Sequence, residues 1–307
     1  SLERAGLGAG RPIVLPPGEE AKSADMVARL WDAMREREVT RRDVLVAMGG
    51  GATLDTAGFA AATYARGIPL VNMPTTLLAM VDAGLGGKVG VDHGGVKNLV
   101  GAFHHPAAVV ADIDTLTTLP GRHVRAGLAE CVKASVAACR ASLDVMEGLT
   151  LADDGIPARL GWVTEQAVRV KAAYVRDDPY DRGIRHALNL GHTFAHAIES
   201  ATAYGVLHGE AVAMGLVAAA RLGASLGVTE PELPGRIESV LSRLGLPLTP
   251  PDELDPARMG DAFRADKKRR GAGLTFVLPV PGGVDLFTGL DADRALAALR
   301  AHEAVAP

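Results

Sequence analysis

The most informative stretch of the chain is Val44-Leu45-Val46-Ala47-Met48-Gly49-Gly50-Gly51, a short apolar run that ends in three glycines. An apolar run of this length, bounded by glycine, is typical of a strand buried on both faces, as in a parallel sheet. The glycines allow a tight turn and the close approach of a ligand to the backbone. We therefore predict an α/β domain built around this strand.

The segments on either side of this strand alternate between the helical and the extended pattern. In one predicted helix, Met26, Leu30, Trp31 and Met34 fall on a single stripe. Such alternation predicts a parallel α/β sheet. The predicted elements are strands over 11–15, 44–48, 69–73 and 109–112, and helices over 20–38 and 54–66.

Beyond Leu119-Pro120 the pattern becomes almost wholly helical, as far as Arg243. Breaks are predicted near 155–157, 178–179 and 204–205, and a strand over 274–278 precedes a final amphipathic helix over 292–304. We predict two domains, an α/β domain over 1–120 and a mainly helical domain over 121–307.

Composition and charge exclude several classes of protein. The 307 residues are 48% hydrophobic and 22% charged, with a net charge of −4, so the chain can bury a sizeable core but lacks the basic bias of a nucleic-acid-binding surface. Neither an apolar run of the ~20 residues needed to span a membrane nor a signal-peptide pattern occurs. Cys131 and Cys139 form neither a CxxC pair nor a disulfide framework. We expect a cytoplasmic protein without nucleic-acid or membrane partners.

Two predicted strands are followed by residues suited to a ligand. Gly49-Gly50-Gly51, with Asp55 in the next helix, could bring backbone N–H groups to a pyrophosphate, although a glycine turn after a strand is as often structural. Pro74-Thr75-Thr76 places two hydroxyls at a strand end, where open α/β sheets bind ligands, or where they cap a helix.

Glycines and charges are concentrated in a segment that we interpret as a loop. Gly86-Gly87-Lys88 and Lys97-Asn98 combine a flexible backbone with ammonium groups, and Asp82 and Asp92 lie nearby. This pattern suits an anionic ligand, but also an ordinary solvated loop. A basic run over 266–270 has the same two interpretations.

The strongest chemical signal is a set of possible metal ligands. His192 and His196 lie four residues apart on one face of a predicted helix, His208 opens another helix, and Glu130 lies one turn from Lys133 on a third. Two imidazoles and a carboxylate could bind a catalytic Zn²⁺ with an open position. No Glu follows His192 as in HExxH, which excludes a metalloprotease, and a paired His without metal remains the alternative.

Together these motifs resemble the 3-dehydroquinate synthase family of the sugar-phosphate cyclase superfamily. The resemblance runs from about Pro16 to Gly283. It rests on Pro17-Gly18-Glu19 with Lys22, Gly49-Gly50-Gly51 with Asp55, Arg66-Gly67, Pro74-Thr75-Thr76-Leu77-Leu78, Val81-Asp82, Gly86-Gly87-Lys88, Lys97-Asn98, Gly127-Leu128-Ala129-Glu130 with Lys133, Lys171, Arg185, Asn189 to His196, His208-Gly209-Glu210 and Asp266-Lys267-Lys268.

The resemblance implies a role for each matching residue. A divalent metal, Zn²⁺ or Co²⁺, would be bound by Glu130, His192 and His208. NAD would be bound by the α/β domain, through Glu19, Lys22, Gly50, Gly51, Asp55, Thr75, Thr76, Asp82, Lys88 and Lys97. The substrate would be bound by Asp82, Lys88, Asn98, Lys133, Lys171, Arg185, Asn189, His196 and one of the two residues Lys267 and Lys268, with Arg66 reaching its phosphate from the other subunit of a homodimer.

The implied reaction is the conversion of 3-deoxy-D-arabino-heptulosonate 7-phosphate to 3-dehydroquinate and phosphate, in the shikimate pathway. NAD is reduced and reoxidised within one turnover, and the metal polarises the alcohol and then the ketone oxygen. A substrate with a phosphate and a carboxylate accounts for the many Lys and Arg residues.

Three other functions remain open. An aminodehydroquinate-type or other cyclase of secondary metabolism would share the site, and Ala83-Gly84 departs from the dehydroquinate pattern towards the valiolone-type relatives, as Pro179 departs from a usual acidic residue. A metal-dependent polyol dehydrogenase, such as a glycerol dehydrogenase, shares the two-domain plan but does not need the converging lysines. A non-catalytic NAD-binding protein would not need all three metal ligands.

The first residues are unlike the start of a domain. Residues 1–10 resemble the tail of a helix, and no strand is predicted before Arg11. Members of the family carry several dozen further residues ahead of the point that matches Arg11. We therefore expect that the sequence lacks the first strands of the α/β domain.

Overall fold

The computed structural model describes residues 11–138, 140–149, 151, 159–251, 254, 258–263 and 274–300. The predicted helix tail at 1–10, Cys139, the break at 155–157, the run containing Lys267 and Lys268, and the end of the last helix lie outside these residues, in whole or in part. The chain divides into two compact units, one comprising the chain up to Thr75 with Gly87–Asp112, the other Thr76–Gly86 with the chain from Ile113 onwards.

The first unit contains a parallel sheet flanked by helices, which confirms the predicted α/β class. The strand order is β1-β2-β5, and an antiparallel hairpin of β3 and β4 accompanies this sheet. Short 3₁₀ turns cover Gly18–Ala21 and Tyr64–Arg66. The elements are α1 (Ala24–Glu36), β1 (Leu45–Gly49), α2 (Gly51–Thr63), β2 (Leu70–Pro74), β3 (Lys88–His93), β4 (Val96–Phe103) and β5 (Ala108–Val109).

Helix α1 begins where its sequence supplies a cap. The Ser23 hydroxyl accepts a hydrogen bond from the Met26 N–H at 3.2 Å. Of the predicted apolar stripe, Met26, Leu30 and Met34 are buried, whereas Trp31 is 36% exposed. The Trp31 indole N–H donates to the Ala60 carbonyl on α2, at 3.3 Å, so this ring ties the two helices together at the surface.

Two predictions for this unit are wrong. Residues 11–15 do not form a strand, because no described strand pairs with them. The segment interpreted as a loop forms the β3–β4 hairpin, whose turn is made by Gly94 and Gly95 at φ values of 57° and 76°. A pair of residues with positive φ matches the twist of a two-residue hairpin, and glycine adopts that conformation without steric cost.

The second unit is mainly helical, as predicted, and also holds an antiparallel pair of strands, β6 and β7. Single turns cover Ala79–Ala83 (π), Ile113–Thr118 and Ile184–Asn189 (3₁₀), and residues 258–263 are helical. The elements are α3 (Gly121–Ala138), α4 (Arg140–Glu147), α5 (Leu160–Asp177), α6 (His192–Ala201), α7 (His208–Ser225), α8 (Leu233–Arg243), β6 (Leu274–Val280), β7 (Gly283–Leu290) and α9 (Ala292–Arg300).

Helix α7 lies at the centre of this unit. It packs against α3, α6, α8, α9 and β6, and most of its residues are buried. The segment Thr76–Gly86 belongs to this unit because its π turn packs against α3 and α5. No helix among the described residues is both long and apolar enough to cross a membrane.

Candidate active site

Three side chains from three helices converge in the second unit. Glu130 on α3, His192 at the start of α6 and His208 at the start of α7 offer ligand atoms that all lie within 4.8 Å of one another. The Nε2 atoms of His192 and His208 each lie 3.6 Å from Glu130 Oε1. Both imidazoles thus direct their Nε2 atoms towards the same carboxylate oxygen, Oε1 of Glu130.

This arrangement fits a tetrahedral metal ion better than a hydrogen-bonded cluster. Glu130 Oε1 is buried and accepts no hydrogen bond from any described residue, and 3.6 Å is too long for one. Ligand atoms bound at ~2.1 Å to a tetrahedral Zn²⁺ lie about 3.4 Å apart. A divalent cation would satisfy the unpaired oxygen, and three protein ligands would leave one position open.

The opposite nitrogen of each imidazole is also engaged. His192 Nδ1 lies 3.2 Å from the Leu190 carbonyl, and His208 Nδ1 lies 3.3 Å from Glu199 Oε1. Such partners fix the ring orientation of metal-binding histidines. Sequence analysis missed Glu199, although it follows His192 by seven residues and therefore shares its helix face.

The charges of the cluster depend on its burial. Burial raises the pKa of the Glu130 carboxyl, but the Lys133 ammonium together with His208 and His192 outweighs this effect and lowers that pKa to about 2. Burial and Lys133 lower the pKa of His192 to about 3. Burial also lowers the pKa of His208, but its carboxylate partners Glu130 and Glu199 outweigh burial and raise it to about 10.

Two buried lysines extend the cluster. Lys133 pairs with Glu130, Lys171 pairs with Asp82, and Lys133 Nζ also lies 4.0 Å from Asp82 Oδ1. Burial raises the pKa of Asp82, but Lys171 and Lys133 outweigh it and lower that pKa well below its usual range. Burial lowers the pKa of Lys171, and burial together with the charge of Lys133 outweighs the opposite effect of Asp82.

Arg185 is a third buried cation, with 3% of its surface exposed. Its Nη1 donates to the Pro179 carbonyl at 3.1 Å and its Nη2 to the Gly86 carbonyl at 2.9 Å. Among the described residues, no carboxylate forms an ion pair with its guanidinium. Backbone hydrogen bonds and the charge of Arg185 lower the pKa of the nearby Asp178 carboxyl, so a carboxylate lies close to this cation without contacting the guanidinium. A buried guanidinium without a direct ion pair favours an anionic ligand.

The other predicted substrate residues of this unit lie around α6. Asn189 ends the 3₁₀ turn that leads to it, and His196 is exposed, with its ring 5.6 Å from that of His192 and 6.4 Å from that of His208. Gly191 begins the helix at a φ of 76°. A β-carbon on Gly215 would lie 2.2 Å from the Gly191 carbonyl oxygen, so α6 and α7 meet backbone to backbone.

The predicted cofactor residues lie mostly in the first unit, where the parallel strands end. Thr75 N–H donates to the Gly49 carbonyl at 2.9 Å, and Gly50 precedes the first turn of α2, which begins at Gly51. A glycine turn and a helix N-terminus at one sheet edge suit a nucleotide phosphate. In the second unit, the Thr76 hydroxyl accepts from Ala79 N–H and so caps a helical turn, the structural alternative considered above.

In the first unit, charged residues at the 3₁₀ turn Gly18–Ala21 and directly after it contact α2 and β4. Lys22 Nζ donates to Asp55 Oδ2 at 2.7 Å and also to Asn98 Oδ1, and it is buried. Lys97 Nζ pairs with Glu19 at 2.9 Å on the surface.

Two predicted ligand-binding residues lie at element ends. Lys88 is exposed at the start of β3. Arg66 lines a pocket together with His104. It is the last residue of the 3₁₀ turn Tyr64–Arg66 and has a φ of 66°.

The sequence matches two family models, 3-dehydroquinate synthase N-terminal over residues 12–126 and 3-dehydroquinate synthase C-terminal over residues 127–269. The chain belongs to the 3-dehydroquinate synthase family. It is 46% identical, over 289 residues, to a 3-dehydroquinate synthase of Symbiobacterium thermophilum, covering 92% of this chain and 80% of the relative.

Other members of the wider 3-dehydroquinate synthase-like group are also similar. A 2-epi-valiolone synthase of Actinosynnema mirum is 45% identical over 88% of this chain and 72% of its own length. The solved structure of a 2-epi-5-epi-valiolone synthase from Streptomyces hygroscopicus subsp. jinggangensis 5008, with NAD⁺ and Zn²⁺ bound, superposes with a TM-score of 0.82 at 32% identity, covering 93% of this chain and 80% of that one. Membership of this family disfavours the polyol dehydrogenase alternative.

Proposed function

We propose that this chain is a cyclase that converts 3-deoxy-D-arabino-heptulosonate 7-phosphate to 3-dehydroquinate and phosphate, with catalytic NAD and a divalent metal, Zn²⁺ or Co²⁺. The observation that carries the proposal is the buried Arg185 guanidinium, which lacks a carboxylate partner among the described residues. A planar guanidinium binds a carboxylate through two parallel hydrogen bonds. The proposed substrate supplies that carboxylate.

Glu130, His192 and His208 would bind the metal, in the geometry described above. When bound, a divalent metal polarises an alcohol or carbonyl oxygen of the substrate. The Leu190 carbonyl and the Glu199 carboxylate contact the Nδ1 atoms of the two imidazoles and hold the rings in place, so that the ligand atoms are preorganised.

Gly50, Gly51, Asp55, Thr75 and Thr76 would contact NAD, together with Glu19, Lys22, Asp82, Lys88 and Lys97. When bound, NAD accepts a hydride and returns it in the same turnover. The support for this assignment is the glycine turn at the sheet edge and the presence of NAD⁺ in the solved relative. The redox balance of the reaction is zero, so we expect no net formation of NADH.

The chain's own charges favour a substrate with two anionic groups. Among the described residues, Lys133 pairs with Glu130 and Lys171 pairs with Asp82, whereas the buried Arg185 guanidinium forms no ion pair. A bound metal adds further positive charge. Because buried charge must be compensated, a phosphate and a carboxylate together are suited to this site. Further contacts are proposed from Asn98, Asn189, His196, Lys88 and one of the two residues Lys267 and Lys268, and from Arg66 of a neighbouring subunit.

We also propose a homodimer acting in the cytoplasm, in the shikimate pathway and therefore in chorismate and aromatic amino acid biosynthesis. The names of the 3-dehydroquinate synthase relatives support the pathway. The proposed contact from Arg66 requires the dimer.

A valiolone-forming cyclase is the second candidate. Ala83-Gly84 follows the pattern of that group, and a 2-epi-valiolone synthase is among the similar relatives. Its substrate would lack the carboxylate, however, and the Arg185 guanidinium would then have no anion in direct contact. This difference makes the two candidates distinguishable.

The decisive experiment is turnover of the purified protein loaded with NAD and Zn²⁺. Incubation with 3-deoxy-D-arabino-heptulosonate 7-phosphate should release phosphate and form 3-dehydroquinate, identified by mass spectrometry, without accumulation of NADH. Arg185→Lys should reduce kcat/KM at least about tenfold, because an ammonium cannot make the bidentate contact. Faster turnover of sedoheptulose 7-phosphate would support the valiolone-type candidate and contradict the proposal.

A further inference from the structure

Asp178 closes the loop that carries Arg185. This loop follows α5, and the Asp178 carboxylate accepts three backbone hydrogen bonds from it. Oδ1 accepts from Arg182 N–H at 2.9 Å, and Oδ2 accepts from Gly183 N–H at 2.7 Å and from Arg185 N–H at 3.2 Å. The backbone of Arg185 is therefore bound directly by this side chain.

Gly86 limits the space that is available to the guanidinium of Arg185. A β-carbon on Gly86 would lie 2.2 Å from Arg185 Nη2, and the Gly86 carbonyl accepts from that same nitrogen. The second guanidinium bond goes to the Pro179 carbonyl, which belongs to the loop closed by Asp178. The described residues thus engage two of the five guanidinium N–H groups and fix the plane of the fork.

We propose that Asp178 is a positioning residue and Gly86 a specificity-determining residue, which together aim the Arg185 guanidinium at the substrate carboxylate. This inference rests on the proposed function, in which Arg185 binds that carboxylate. Bidentate recognition depends on the direction of the fork as well as on its charge, so its supports should matter as much as the arginine itself.

An amide cannot replace the Asp178 carboxylate. Asn offers one acceptor oxygen and one NH₂ group, whereas the loop presents N–H groups to both carboxylate oxygens. In Asp178→Asn, at least one N–H of the loop would face another donor, so the loop should shift. Gly86→Ala would displace the guanidinium from the opposite side, without any change in the 178–185 loop.

The inference is tested with four proteins, each saturated with NAD and Zn²⁺. Wild type, Asp178→Asn, Gly86→Ala and the control Asp177→Asn are compared for KM and kcat with 3-deoxy-D-arabino-heptulosonate 7-phosphate. Asp177 is adjacent to Asp178 but pairs with Arg176 on the surface. The first two variants should raise KM about tenfold or more, since small misplacements of a binding group are costly. The control should match the wild type.

Four further measurements separate positioning from a general structural role. The NAD Kd, the bound Zn²⁺ per chain and Tm should stay near wild-type values in Asp178→Asn. In an Arg185→Lys background, Asp178→Asn should add less than a twofold effect, because the two changes act on one contact. Additive effects, or loss of Zn²⁺ and NAD binding together with KM, would overturn the positioning role.

The outcomes also separate this inference from the function on which it rests. Wild-type turnover of the keto-acid phosphate with an unchanged KM in Asp178→Asn and Gly86→Ala would overturn the inference alone. No wild-type turnover of that substrate would overturn the proposed function and the inference with it.

Discussion

Gly209 lies so close to Ala126 that a β-carbon on the glycine would come within 1.9 Å of the alanine carbonyl oxygen. Gly209 follows the ligand His208 on α7, and Ala126 lies one turn before the ligand Glu130 on α3. The crossing of the two helices therefore determines the distance between these two ligands.

Gly209→Ala is predicted to separate α3 from α7 and to weaken the metal site. Since both clashing atoms belong to backbone, neither helix can yield by a rotamer change, and we expect a loss of about 1–3 kcal/mol in unfolding free energy. Zn²⁺ affinity, measured by chelator competition, should fall at least about tenfold. Gly235→Ala in α8 is the matched control, because a β-carbon there meets nothing within 4 Å. Equal Zn²⁺ affinities in the two variants would contradict this account.

Glu199→Gln is predicted to weaken metal binding without removing a ligand. The amide would bind His208 Nδ1 less strongly than the carboxylate does, and such partners typically affect metal affinity 10–100-fold. The same competition assay on metal-stripped protein tests this. Glu165→Gln, which alters an exposed pair with Arg169, provides the control. An unchanged affinity in Glu199→Gln would show that Glu199 does not support the ligand.

Zn²⁺ binding is predicted to release about one proton near pH 7.5. The pKa of His208 is raised to about 10 in the metal-free protein, so its imidazole is protonated there, whereas the pKa of His192 is lowered to about 3 and this ring is already neutral. Because metal binds neutral imidazole, affinity should rise about tenfold per pH unit up to pH 10. Calorimetry in buffers of different ionisation enthalpy measures the release. A pH-independent affinity between pH 6 and 9 would exclude a protonated His208.

Lys22→Met is predicted to destabilise the first unit and to weaken NAD binding. It removes a buried ammonium from Asp55 and Asn98, and the loss of one partner from a buried ion pair costs about 3 kcal/mol. Lys97→Met breaks the exposed pair with Glu19 and should cost less than about 1 kcal/mol. Urea unfolding compares the two variants, and similar losses in both would argue against a special role for Lys22.

The helical part of the candidate site could be predicted because its signals are local. His192 and His196 are four residues apart, and His208 and Glu130 carry ligand chemistry on strongly periodic segments. The parallel sheet could also be predicted, from the apolar run that ends in three glycines. Helix periodicity places side chains on a face, but it does not show which faces meet.

Contacts between distant residues account for what could not be predicted. Arg185 binds the carbonyl of Gly86, 99 positions away in the chain, and no local pattern indicates such a pair. The β3–β4 hairpin is different, because the Gly94-Gly95 pair is a turn signal that was available in the sequence. The abundance of charge and glycine around it favoured the interpretation as a loop.

The backbone contact between Gly191 and Gly215 affects how this protein can diverge. Since α6 and α7 touch there without an intervening side chain, this contact limits how closely the helices that carry His192 and His208 approach each other. Changes at other apolar positions of α7 therefore act on the metal geometry less directly than changes at these two glycines. A mutational library of the second unit should accept many apolar replacements on these helices and almost none at the two glycines.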